Sequence, residues 1–505
     1  MLNVFTYWEN HGGGGVNKWD YIEKCVDTIR LHCVRDCRFH HITSNNIDRY
    51  IPEGLLHPNW KHITNLGIKS DCVRAAVLFL YGGLYLDSDT VMLRSPAHLE
   101  LDCDFAYTRW TKPPFRAIAA YVYSKRNGKV AEQWVKNINN RIASGNTGWC
   151  ELGEGALTPA LTAAPPTEVI ELDRTTFMPL DVDAEVVKFT ETGDIDNYIT
   201  DKTVCVGLNH SWLTSQIKKL KGKRQGVMLA TREAMRGSDI MIHRLFSRMY
   251  DFVDNNPLQI GVCVPTFRRP ELLGYLIHLF EQQTYQHRKM IILDDTGLLQ
   301  SQSGDCWELI STPERAKTIG DKRNTIAAMC DTDVLVALDD DDIMLPTGLA
   351  TIAAGMMRAD WVRPGQVLSK HNSDLHRMWS WARADKQDKA FQGSWGVSKA
   401  AFNDVGGYAS LSLGEDLNLA LKLADTHTCE VDPVEHGAQP YFVSAPYKNE
   451  HFSWCCKDYD KWAEQLPIPT TTVVVPTALP FSFNPVLQHV HKRSWQTDWY
   501  KDPCK

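Results

Sequence analysis

Two apolar runs in this chain end abruptly in aspartates. Leu84-Tyr85-Leu86 runs into Asp87-Ser88-Asp89, and Val334-Leu335-Val336-Ala337-Leu338 runs into Asp339-Asp340-Asp341-Asp342. A short apolar run bounded by polar residues reads as a buried strand. Alternate residues of an extended segment point the same way, so the outer carboxylates of an Asp-x-Asp can face one pocket. Like charges that close repel unless a cation sits between them. A hard divalent ion such as Mn²⁺ or Mg²⁺ prefers oxygen ligands and completes its shell with phosphate oxygens. An isolated Asp-x-Asp is more often a solvated turn, so the context of each pair decides its meaning.

That context is an alternation of strand and helix patterns, twice over. In the first half, 19–31 and 69–80 have helical spacing, the second ended by Tyr81-Gly82-Gly83. In the second half, 270–283 and 321–329 read as helices, and 289–293 and 334–338 as strands. Such alternation predicts α/β architecture with mainly parallel sheets, whose ligands sit beyond the carboxyl ends of the strands. Both aspartate runs stand at such ends. The polar stretch 251–257 reads as a linker, with one unit over 1–250, a second over 258–465, and an extension over 466–505.

The chain has 505 residues, 43% hydrophobic and 23% charged, enough for two cores. Its net charge of -7 is a poor match for nucleic acid, and none is expected as a partner. The start lacks a basic n-region and a long apolar run, and the most apolar stretch, 72–86, is broken by Arg74 and two glycines. A cytoplasmic protein without a transmembrane segment is expected, with peripheral membrane contact left open. The 14 cysteines form no framework, so free thiols are expected. Cys33, Cys37, His40 and His41 could be imagined as a zinc site, but no second spaced pair accompanies them. His11-Gly12-Gly13-Gly14-Gly15 reads as a flexible loop rather than a phosphate cradle, and there is no Walker A motif or Gly-x-Ser-x-Gly elbow.

The residues around the first aspartate pair carry a resemblance. Asp71-Cys72-Val73-Arg74, Gly82-Gly83-Leu84-Tyr85 and Asp87-Ser88-Asp89 form a long pattern similar to that of glycosyltransferase family thirty-two and the related capsular polysaccharide enzymes. The resemblance implies a GT-A fold over roughly 1–220 and transfer with retention of configuration. It implies that Asp71, Arg74, Gly82, Gly83 and Tyr85 contact the donor, and that Asp87 and Asp89 hold the metal. Asp71 and Arg74 lie one helical turn apart and share a face. The two glycines end the helix and allow backbone close to ligand. His210, in Asn209-His210-Ser211-Trp212, is a candidate further ligand, with a plain surface histidine as the alternative. Gly153-Glu154 resembles a family loop below the acceptor site, where proline is usual and this chain has Glu154.

The second half resembles the inverting glycosyltransferase family two. The residues that carry this are Val264-Pro265-Thr266-Phe267-Arg268-Arg269-Pro270, Leu293-Asp294-Asp295, Gly320-Asp321-Lys322-Arg323-Asn324, Asp339 to Asp342, Gly406-Gly407-Tyr408 and Gly414-Glu415-Asp416. Their order and spacing imply a second GT-A domain. Thr266, Phe267, Arg268, Asp294, Asp295, Lys322, Arg323, Asn324 and Asp340 would bind the donor, and Asp339 and Asp341 the metal. An inverting transfer needs a carboxylate on the face opposite the leaving diphosphate. Asp416 is the expected base and Glu415 its alternative. His451 is a candidate late metal ligand, with His491 competing for that role. Trp379, Trp381 and Gly393 to Gly396 could form a sugar platform or belong to the core. The expectation is a bifunctional, Mn²⁺- or Mg²⁺-dependent glycosyltransferase that moves sugars from nucleotide-sugar donors, by default UDP-sugars, to a glycan or glycoconjugate acceptor. The alternatives are one active domain beside a glycan-binding module, a nonenzymatic carbohydrate-binding scaffold, or a nucleotidyl- or phosphosugar transferase.

Overall fold

The computed structural model describes residues 1–9, 20–99, 101–111, 116–180, 185–209, 213, 232–235, 237–267, 269–363, 366–371, 374–379, 395–427, 429–431 and 442–444. Two large sheets organise them. In the first, the order is Cys37–Ile42, Leu2–Tyr7, Gly83–Leu86, Ala117–Ser124, Phe105–Arg109, Val169–Glu171. Leu2–Tyr7 lies parallel to both its neighbours, while Ala117–Ser124 runs antiparallel to the strands on either side. The second sheet has the order Gln302–Ser303, Trp307–Ser311, Arg288–Asp294, Ile260–Thr266, Val334–Ala337, Gly396–Ser398, Trp361–Arg363, Cys429–Val431. Its four strands from Trp307–Ser311 to Val334–Ala337 are parallel, and Gly396–Ser398 is antiparallel to both neighbours.

Each aspartate run stands at the carboxyl edge of its sheet because the strand before it is buried on both faces. All four residues of Gly83–Leu86 and of Val334–Ala337 are buried. The helix Leu66–Tyr81 explains the first site's unusual privacy. Asn65 caps its start by accepting from the Ile68 N–H at 3.2 Å, and every residue from Ser70 to Leu78 is buried. Asp71 and Arg74 are therefore polar residues in a helix that is otherwise core, where ionic groups persist only when paired. Helix Ile319–Met329 plays the matching part in the second half, capped by Thr318 through the Asp321 N–H.

The stretch 251–257 is not a linker over its length. It supplies the last turn of the helix Met241–Asn255, whose Met241, Ile242, Leu245 and Phe246 are core residues. Exposed Asp251 and Asn255 belong to the polar face of an amphipathic helix, and Phe252 meets the His32 ring at 4.2 Å. The two sheets are tied together by arginines from the first half. Arg35 bridges Asp333 with two hydrogen bonds, Arg30 reaches Asp360 at 3.4 Å, and Arg38 pairs with Asp404. Cys33 and Cys37 are buried core thiols and the His40 ring stacks on Phe5 at 4.7 Å, so the imagined zinc cluster is packing. The cysteines whose side chains are described are free thiols. Among the described residues no helix is long and apolar enough to cross a membrane.

Candidate active sites

The first site is built on one arginine. Arg74 donates to Asp87 at 2.9 Å and to the Ser70 hydroxyl at 2.7 Å, and lies 3.5 Å from Asp71. Its guanidinium sits 4.9 Å from the centre of the Tyr85 ring. Burial pushes the Asp71 carboxyl up to about 7; Arg74 opposes this, and Asp87 and Glu154 add to it. Asp87 is also raised, by burial first, then by Asp89 against the pull of Arg74. Asp89 is buried at 8% exposure. Among the described residues no third ligating side chain joins Asp87 and Asp89. His210 lies outside the described residues.

Gly82 and Gly83 do not approach this cleft. Gly82 caps the end of the helix Leu66–Tyr81 and Gly83 begins the strand that runs to Asp87, and both have positive φ. A Cβ on Gly83 would lie 2.3 Å from the Asn3 carbonyl, and one on Gly82 would lie 2.4 Å from the Arg126 nitrogen. Their smallness serves close passage of the protein's own backbone, at the opposite end of the strand from the carboxylates.

The second site gathers more charge. Carboxylate oxygens of Asp339, Asp341 and Asp342 all lie within 4.8 Å of one another. Asp340 turns the other way and is buried, accepting from Thr266 Oγ1 at 2.7 Å and from Arg269 at 2.9 Å. Arg269 also reaches Asp341 at 3.1 Å. Burial, then the charges of Asp340 and Asp339, push the Asp341 carboxyl up. A divalent cation relieves that repulsion, and an all-carboxylate set suits a hard ion, so these residues fit Mn²⁺ or Mg²⁺.

Beneath the triad lies a buried framework. Lys322 is 1% exposed and donates at 2.5 Å both to Asp295 and to the Thr266 carbonyl, which ties two adjacent strand ends together. It is not on a solvated face, and burial lowers its ammonium below the usual lysine range against the pull of Asp295. Arg323 joins Asp339 at 2.8 Å to Glu415 at 3.5 Å. Asp294 is fully buried and takes four donors: Thr296 N and Oγ1, Leu299 N and Ser311 Oγ. Its carboxylate shapes the loop after its strand. Asn324 clamps Tyr408, donating to its carbonyl and accepting from its N–H, both at 2.9 Å. Asp294 and Asn324 thus spend their polar atoms inside the protein rather than on a ligand. Phe267 is 5% exposed with the Arg315 guanidinium 4.1 Å from its ring centre.

Glu415 and Asp416 open the helix Glu415–Thr426 behind Gly414, which has φ 78°. Glu415 is 6% exposed and turned onto Arg323, and burial raises its carboxyl. Asp416 is half-buried and one of its oxygens accepts from the Leu417 N–H at 2.7 Å. Arg268, Trp381, His451 and His491 lie outside the described residues, as do 11–15, 393–394 and 466–505. Trp379 ends a described strand whose side chains are not described, and Trp395 is core, its ring 5.7 Å from Trp361. Sequence reasoning left out Asp342 and Arg269. Arg269 was readable as the residue before the helix-opening Pro270, next to a strand end that needs a countercharge.

Residues 3–136 match the family described as "Capsular polysaccharide synthesis protein", and 261–374 match "Glycosyl transferase family 2". The chain carries a glycosyltransferase domain. Its second half, a mixed α/β sheet with the acidic run at the end of a central parallel strand, is GT-A-like. No curated protein matches the chain. Among solved structures, S. aureus TarS is similar at 13% identity and a TM-score of 0.30, covering 37% of each chain. TarS 1-349 in complex with UDP-GlcNAc is similar at 12% identity and a TM-score of 0.29, covering 38% of this chain and 60% of that one. The chain thus spans under two thirds of either structure.

Proposed function

We propose that the chain is a metal-dependent glycosyltransferase of polysaccharide synthesis with two nucleotide-sugar centres, the first retaining and the second inverting. The carrying observation is the Asp339, Asp341, Asp342 group at the carboxyl edge of a parallel sheet. These three residues would hold Mn²⁺ or Mg²⁺, and the bound ion would stabilise negative charge on a departing diphosphate. Asp340, Thr266 and Arg269 hold the group from below, so the carboxylates are aimed before any donor arrives. Lys322 and Asp295 fix the two neighbouring strand ends. Arg323 carries positive charge to the edge of the site. Asp416 takes the acceptor proton: it is partly solvated, while Glu415 is committed to Arg323. UDP-sugars are the proposed donors and a glycan or glycoconjugate the acceptor.

A second reading has a specific observation behind it. Asp87 is engaged by Arg74, and no third ligand joins Asp89 among the described residues. That favours a first unit which binds glycan while the second transfers. The test is a donor-hydrolysis and transfer screen over a nucleotide-sugar panel, with and without EDTA. It compares full-length Asp339→Ala/Asp341→Ala with Asp87→Ala/Asp89→Ala. Two centres predict that each variant loses a different product by about 10³-fold, on the order of 4 kcal/mol of barrier. If only the Asp339/Asp341 variant loses product, the first unit is a binding module. If neither does, the proposal fails. NMR of the anomeric proton in each product checks retention against inversion.

A further inference from the structure

The helix Glu415–Thr426, which carries Asp416, is held at both ends, and each end is held by a different half of the chain. At its start, Glu415 lies 3.5 Å from Arg323, which also donates to Asp339 of the carboxylate group. At its far end, Arg49 of the helix Ile47–Tyr50 donates to the Ala424 carbonyl at 2.7 Å. The last carbonyls of a helix have no partner within it, and a cation there also meets the negative end of the helix dipole. Arg49 thus caps, from the first half, a helix of the second.

A second arginine reaches the same block. Arg38, on the strand Cys37–Ile42, pairs with Asp404, the last residue of the helix Lys399–Asp404. Asp404 also lies 3.4 Å from Nε2 of His427, the residue after Thr426. Burial lowers the His427 imidazole below the usual histidine range, so the cation that answers Asp404 is Arg38. The two second-half helices form one piece: Lys422 donates to the Val405 carbonyl at 3.2 Å, and Phe402, Tyr408, Leu419 and Leu423 share a core. Arg35 makes a useful contrast. It bridges Asp333, at the amino end of the strand Val334–Ala337, so it joins the halves at the end of the sheet opposite the carboxylates.

We propose that Arg38 and Arg49 are positioning residues of the second site: the first half holds the helix Glu415–Thr426 so that Asp416 faces the acceptor. A helix of 12 residues is a rod of about 18 Å, and tilting one end displaces the other. A catalytic group moved by about 1 Å loses up to about 10²-fold in rate. The inference rests on the reading of Asp416 as the base, and adds what aims it.

Two measurements on the full-length protein test this. One is amide hydrogen exchange over 417–423. The other is hydrolysis of UDP-glucose, UDP-galactose and UDP-N-acetylglucosamine with Mn²⁺, water standing in for the acceptor hydroxyl; the second-site share is the part lost in Asp339→Ala/Asp341→Ala. In Arg38→Ala/Arg49→Ala, exchange should quicken at least fivefold and second-site kcat should fall at least fivefold, with donor KM within twofold of wild type. Arg38→Lys/Arg49→Lys should recover most of the kcat, and Arg35→Ala should change neither readout. Unchanged exchange in the double alanine variant overturns the proposal, and so does faster exchange with an unchanged kcat. A matching loss in Arg35→Ala also overturns it, since the effect would then be general undocking. Asp416→Asn separates the two ideas: if it keeps full kcat, the base assignment fails even where the exchange result stands. If the wild type hydrolyses no probe, the transferase reading fails, and the exchange result alone decides whether the first half holds the helix.

Discussion

The two acidic sites share a sequence pattern and differ in how their charge is managed. At the first, one arginine from a buried helix spans Asp71 and Asp87, and the aspartates stay few and sheltered. At the second, three carboxylates meet at the surface edge; Arg323 and Arg269 each touch one of them, Asp339 and Asp341, while Lys322 and Arg269 neutralise Asp295 and Asp340 below. The first resembles a closed ion pair that a ligand must reopen. The second resembles a preformed cation cradle. An Asp-x-Asp therefore reports position at a strand end, not the state of the site.

The sharpest way to break the contrast is to remove the foundation of the second site. Lys322→Met leaves Asp295 buried without its partner, which should cost about 3 kcal/mol. Thermal unfolding should show the loss, with second-site product falling and first-site product retained. Equal loss of both products would mean that the two sites share one foundation.

The closed pair of the first site should show itself in pH dependence. Asp71 has a raised carboxyl in the folded protein, so its contribution to stability is full below the ordinary aspartate range and is lost as pH rises through about 7. Denaturant unfolding at pH 5 and pH 8 should differ by on the order of 2 kcal/mol more in the wild type than in Asp71→Asn. Equal pH slopes in the two proteins would show that Arg74 keeps Asp71 ionised throughout.

The smallest effect concerns the contact between the halves. Arg35 is 40% exposed, so Arg35→Ala should cost under about 1 kcal/mol and leave both products unchanged. A larger loss, read by thermal unfolding, would make the two sites parts of one cooperative unit.

Much of this was readable along the chain. The helix expected over 69–80 is Leu66–Tyr81, and the strand expected over 289–293 is Arg288–Asp294, because long apolar runs carry strong periodic signals. Asp71 and Arg74 were expected to share a face, and they do. The helix Met241–Asn255 was missed, and its end was read as a linker because a polar helical face looks like one when seen alone. Gly82 and Gly83 were legible as special but not as to what passes close to them, since Asn3 and Arg126 lie far away in sequence.

The sequence by itself determined two α/β halves and put an acidic run at the end of a buried strand in each, since side-chain alternation and apolar runs are local properties. Only the tertiary structure decided what each carboxylate does. Asp340 turns inward because Thr266 and Arg269, some seventy residues earlier, wait there. Asp294 and Asn324 serve the protein's own loops, and Gly153 comes beside Asp71 only because its segment lies along a helix from much earlier in the chain. Hydrogen bonds and ion pairs act over a few ångströms of space whatever the separation along the chain, so these partnerships exist only in the folded molecule.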